Sequence, residues 1–202
     1  MDTTSCIMLS CNLSTPIPFG SFFREEDLQG TGVELDSHIT LLYAPELFID
    51  RHEALKEIGD NNISYIKSIV ENETFFEVPE LFELSSFSGE SDYVILKLKE
   101  RSELFAKLKW VNSKLSSKFK VVSEFEKYVP HLTLAEVKKG SANKYVNDSA
   151  LKRVIKNSLF QPEDFVIGYD YTKDDYRVYS MTTNKTADRF FRVRENLRDM
   201  QI

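Results

Sequence analysis

The sequence predicts a mixed α/β fold made of two related halves, and three observations predict it. The pattern His-aliphatic-Thr-Leu occurs twice, at His38-Ile39-Thr40-Leu41 and at His131-Leu132-Thr133-Leu134, 93 residues apart. Each copy lies in an apolar-polar alternation that reads as a strand. Each is followed by a helical pattern, over 51–70 after the first and 143–158 after the second. No linker or low-complexity segment divides residues 1–202, so a single domain of two packed lobes is expected.

The elements follow in chain order. Residues 5–13 read as the first strand. The Pro- and Gly-broken stretch 15–23 is aromatic, and Phe19, Phe22 and Phe23 are expected to close the core, ahead of the alternative that the loop stacks a base. Residues 24–32 form a polar turn into the first motif strand, 33–43, which Pro45 stops. Strict alternation puts Tyr43 on the back with Leu41, away from any ligand. Asp50 is placed to cap the helix 51–70. His52, in its first turn, has no other His or Cys nearby and reads as a solvated residue, not a metal ligand. Strands are expected over 74–84 and 93–99, joined by turn residues 85–92. A helix over 103–119 is capped by Ser102 and carries Leu104, Leu108, Val111 and Leu115 on one face. The second motif strand spans 121–137. A hairpin over 165–172 and 176–181 precedes a locally basic amphipathic helix over 186–200.

The motifs carry the chemistry. Residues two apart on a strand share a face. His38 and Thr40 therefore point one way and Ile39 and Leu41 the other, and His131 and Thr133 are likewise opposed to Leu132 and Leu134. Two such strands side by side set two imidazoles and two hydroxyls in one groove: an acid/base pair with polar helpers, requiring no metal. At ordinary residue usage a given His starts such a pattern roughly once in a few hundred trials. Here two of only three histidines do so.

On these residues, with Pro130 preceding the second motif, the chain resembles the 2H phosphoesterase superfamily. That group includes the RNA ligase/2′,3′-cyclic phosphodiesterase-like proteins, and among its branches the phage anti-CBASS nucleases that cleave cyclic oligonucleotide signals. The resemblance implies a bilobal fold, with two pseudo-symmetric halves whose antiparallel sheets line a central cleft and whose helices lie outside. It implies that His38 and His131 act as general base and general acid while Thr40 and Thr133 hold the phosphate. Many members place a basic residue soon after the second motif. Here Ala135-Glu136 follows, leaving Lys138 and Lys139 as the nearest substitutes.

Composition narrows the partner. The chain has 42% hydrophobic residues, a net charge of −6 and a pI near 5.2. An acidic protein lacks the long-range field that non-specific binding to long nucleic acid needs, which favours a short or cyclic oligonucleotide in a local pocket. The expected activity is metal-independent cleavage of a phosphodiester, with degradation of a cyclic nucleotide immune signal as the specific form. The alternatives are an RNA 2′,3′-cyclic phosphodiesterase that processes RNA ends and an RNA-binding module without turnover. A structural protein with coincidental motifs would instead bury its histidines apart. No Walker or Rossmann glycine loop and no Gly-x-Ser-x-Gly is present, which argues against nucleotide triphosphatases, dehydrogenases and serine hydrolases. No cofactor is expected. Cys6 and Cys11 read as buried thiols of a reducing compartment. No basic segment precedes the apolar stretch 6–13 as in a signal peptide, and no stretch reaches membrane-spanning length, so a cytoplasmic protein without membrane contact is expected.

Overall fold

The two motif segments form neighbouring strands in one antiparallel sheet. The computed structural model describes residues 4–45, 75–119, 127–170, 175–179 and 186–187. In chain order these are β1 (Thr4–Ser14), 3₁₀ turns at Phe19–Phe22 and Glu25–Asp27, β2 (Leu28–Val33) and β3 (His38–Pro45). Then come β4 (Phe76–Glu77), α1 (Val78–Leu81), β5 (Phe82–Ser88), β6 (Asp92–Leu98), α2 (Glu103–Phe119) and β7 (His131–Val137). The chain continues through α3 (Ala142–Val146), α4 (Ser149–Lys156), β8 (Leu159–Asp170), β9 (Asp175–Tyr179) and β10 (Thr186–Ala187). The sheet order is β10-β9-β8-β1-β3-β7-β6-β5, with β2 added on β7 and β4 on β8. The antiparallel strands expected of the two halves are thus continuous, and the join is β3 against β7, registered at Ile39 opposite Leu132.

The back of that join is the core. Ile39 and Leu132 are fully buried with Ile7, Leu9 and Leu41, and Leu134 is nearly so. Leu104, Leu108, Val111 and Leu115 of α2 belong to the same apolar cluster. Each such side chain contributes about 1.5–3 kcal/mol by leaving water. The Ser102 hydroxyl caps α2 by accepting from the Phe105 N–H at 3.1 Å. Phe23 closes the core beside Tyr145, their ring centroids 4.8 Å apart, with Phe19 and Phe22 packed alongside. Cys6 and Cys11 are buried thiols.

Several elements depart from periodicity for identifiable reasons. Residues 28–33 are a bulged strand and not a turn: Gly30 (φ +57°) and Gly32 (φ +67°) let the backbone leave the ladder between Leu28 opposite Val137 and Val33 opposite Ala135. The first motif strand begins at His38, not at residue 33. The segment 74–84 is interrupted by α1, where Pro79 suits a first helical turn. β5 then runs on to Ser88, which reduces the expected turn to 89–91. The helix expected over 143–158 is two, because the Asp148 side chain caps a new start by accepting from the Ala150 and Leu151 N–H groups. β7 begins at His131, and residues 127–130 before it are irregular. β8 starts at Leu159, ahead of residue 165, and accommodates Pro162 beside a bulge. Thr186–Ala187 pairs with β9 as a strand where a helix was expected. The helix over 51–70, with His52, and the rest of the basic segment 188–200 lie outside the described residues. Among the described residues, no helix is long and apolar enough to cross a membrane.

Candidate active site

His38 opens β3 and His131 opens β7. Ile39 opposite Leu132 sets the antiparallel register. Continuing it one residue each way puts His38 across from Thr133 and Thr40 across from His131. All four then share one face, opposite the buried Ile39 and Leu132, and the two imidazoles lie on a diagonal. Neighbouring strands extend the rows. Met8 and Ser10 of β1 pair with Thr40 and His38, and Lys97 and Ile95 of β6 pair with His131 and Thr133.

The two imidazoles are held in the same way. His38 Nδ1 lies 3.0 Å from the Asp36 carbonyl, and His131 Nδ1 lies 2.8 Å from the Val129 carbonyl, two residues upstream in both cases. A carbonyl only accepts, so Nδ1 carries the proton and, in the neutral ring, Nε2 keeps its lone pair for proton transfer. His38 Nδ1 is also 3.3 Å from Glu34 Oε1, both side chains being nearly covered. Burial pushes the His38 imidazole down to about 4, with the Asp36 carbonyl opposing and the nearby His131 adding to the fall. Burial also lowers His131, against the Val129 carbonyl. Both rings are therefore neutral near pH 7.

Packing braces the motifs. The Tyr128 hydroxyl donates to the Thr40 carbonyl at 2.9 Å, tying the approach to β7 onto β3. Asn112 of α2 donates to the Leu41 carbonyl at 2.7 Å. Phe87 meets the His131 ring edge to face, with centroids 4.8 Å apart and planes at 85°.

The four motif residues, legible in the sequence, stand on one face of adjacent strands. Glu34, Tyr128, Phe87, Lys97 and Tyr43 join them only in the structure. Glu34 and Tyr128 lie within four residues of their motif histidines, a local signal. Phe87 and Lys97 arrive through β5 and β6, whose register no local pattern discloses. Tyr43 is a correction. Ile7 pairs with Leu42 and Met8 with Thr40, so Leu41 is the extra residue of a bulge. Leu41 and Leu42 both enter the core, and alternation resumes one residue late. Tyr43 thereby emerges on the His/Thr face, 45% exposed.

Lys138 and Lys139 do not reach this face. Lys138 donates to the Glu26 carbonyl, and Lys139 donates to Ser88 Oγ and the Gly89 carbonyl. Glu136 is buried and structural: it accepts from the Thr31 N–H and hydroxyl and from the Ser91 hydroxyl. Among the described residues, no three His, Cys, Asp or Glu side chains group so as to hold a metal ion.

No protein-family model matches the chain, and no curated protein matches it. Among solved structures, the chain is similar to that of Kluyveromyces marxianus Usb1 with uridine monophosphate. The TM-score is 0.43 and the identity 12%, over 86% of this chain and 97% of that one.

Proposed function

We propose that the chain is a two-histidine phosphodiesterase of the 2H type, acting on a cyclic or short oligonucleotide. The observation that carries this reading is the paired arrangement of His38 and His131. Each is bound through Nδ1 to a carbonyl two residues upstream, and the register of β3 against β7 puts both on one face of adjacent strands. One Nε2 takes a proton from the attacking oxygen while the other imidazole, protonated, gives one to the leaving oxygen. Thr40 and Thr133 donate to the non-bridging oxygens where charge develops. On a 3′–5′ linked substrate the neighbouring 2′-hydroxyl attacks and a 2′,3′-cyclic phosphate forms. On a 2′,3′-cyclic phosphate, water attacks instead. Tyr43, exposed beyond Thr40, supplies a flat face for a base.

The net charge of −6 favours a small signalling nucleotide over a long strand. Within this reading we propose degradation of a cyclic nucleotide immune signal as the biological role, carried out by one two-lobed domain without a cofactor. The test is to incubate the purified chain with linear and cyclic oligonucleotides in EDTA and to follow product masses. Cleavage that requires both histidines and survives the chelator is the expected result. Cleavage that returns only with a divalent ion would overturn the mechanism.

A further inference from the structure

Lys97 stands directly across from His131 in the β6–β7 register, so both side chains rise from the same face. From Lys97 a depression of about 310 Å³ runs beyond the end of β6, lined by Glu83, Lys97, Lys99, Glu100 and Arg101. Two of its charges are committed elsewhere: the Lys99 ammonium donates to the Pro79 carbonyl, and the Glu100 carboxylate is bound by Lys127 at 2.6 Å. Lys97 is 30% exposed and lies 3.6 Å from the half-exposed Glu83 carboxylate, a loose contact that an anion can displace. Arg101, which also lines the depression, is exposed. A lysine opposite the imidazole's strand position and an arginine in the same depression give it cationic donors on a chain that is acidic overall. An arginine fork suits phosphate oxygens in particular.

Resting on the two-histidine reading above, we propose that this depression binds a second phosphate of the substrate, next to the one being cleaved, with Lys97 and Arg101 as its cationic donors. The substrate class is then an oligonucleotide with at least two phosphates, not a mononucleotide.

The test is calorimetric. Deoxy-dinucleotides, which lack the internal nucleophile, are titrated into the full chain with and without an added terminal phosphate, at the 5′ end and at the 3′ end. In the wild-type chain, the added phosphate at one end is expected to tighten binding about tenfold, and this ratio should shrink as salt is raised. In Lys97→Met and in Arg101→Met, each checked for an unchanged melting temperature, the ratio should fall towards one. In His131→Ala it should persist. No advantage from either terminal phosphate, or an advantage that survives both substitutions, would overturn the subsite. Failure of the two-histidine reading shows up separately, as turnover that survives His38→Ala and His131→Ala.

Discussion

Leu41 and Leu134 occupy the same place in their strands: each is the extra residue of a β-bulge three positions after a motif histidine. Opposite Leu41, the partner strand steps from Met8–Thr40 to Ile7–Leu42. Opposite Leu134, it steps from Ile95–Thr133 to Val94–Ala135. In both strands two consecutive residues then enter the core, and the side chain five after the histidine turns towards the motif face. In one half that residue is Tyr43; in the other it is Glu136. Bulges re-aim side chains beside active sites. Here the two bulges aim different side chains, one an open aromatic face and the other a carboxylate locked by Thr31 and Ser91.

The first prediction follows from Tyr43. A base stacked on an aromatic side chain is worth about 1–3 kcal/mol by alanine substitution. Tyr43→Ala should therefore raise KM by about tenfold or more with kcat nearly unchanged, and Tyr43→Phe should restore it. Steady-state kinetics on a cleaved oligonucleotide checks this. An unchanged KM in the alanine variant would place the base elsewhere.

The second concerns the four motif residues. His38→Ala and His131→Ala should each abolish turnover while the far-ultraviolet circular dichroism stays that of the parent, because both side chains stand opposite the core face. Thr40→Ala and Thr133→Ala should each lower kcat by ~10²-fold, the size of one lost transition-state donor. Unfolding of both histidine variants would instead assign the pair a structural role.

What could be read from the sequence was local. The two motifs, the α2 stripe from Leu104 to Leu115 and its Ser102 cap are signals carried by neighbouring residues, and all three reappear in the fold. What could not be read was set by register and by bulges. One extra residue at Leu41 reverses the side on which Tyr43 emerges, and nothing around Leu41 announces it. Lys97 meets His131 only because β6 pairs with β7 at that offset. The segment 28–33 looked like a turn because it contains Gly30 and Gly32, yet Glu136, more than 100 residues away, holds it against β7.

That arrangement makes the third prediction a comparison of two glycines. Both are left-handed, so alanine at either costs about 1–2 kcal/mol of conformational strain. At Gly32 a Cβ meets nothing within 4 Å. At Gly30 it would sit 2.3 Å from both Glu136 carboxylate oxygens. Gly30→Ala must expel the carboxylate from its three donors. It should therefore destabilise the chain by several kcal/mol, well beyond Gly32→Ala, in urea unfolding followed by tyrosine and tryptophan fluorescence. Equal losses would mean that Glu136 yields without consequence.

The last prediction concerns pH and joins stability to rate. Burial lowers both imidazoles, His38 to about 4, whereas an unfolded histidine titrates near 6.5. Between those values the unfolded chain binds a proton that the folded His38 refuses. The neutral ring's contribution is thus fully present above pH 6.5 and is lost as pH falls towards 4, by roughly 3 kcal/mol. His38→Gln should flatten that part of the stability profile relative to the parent, in urea titrations at successive pH values. The rate depends on the same pair differently, since turnover needs one ring neutral and one protonated. The profile of kcat/KM should be bell-shaped, with limbs that belong to the coupled pair, and its maximum should lie below pH 6.5 because both rings are depressed in the free protein. Bound phosphate adds negative charge beside both rings and favours their protonated forms. The kcat profile should therefore peak at higher pH than that of kcat/KM. Coincident maxima near neutrality would show that the free imidazoles are not held neutral by burial.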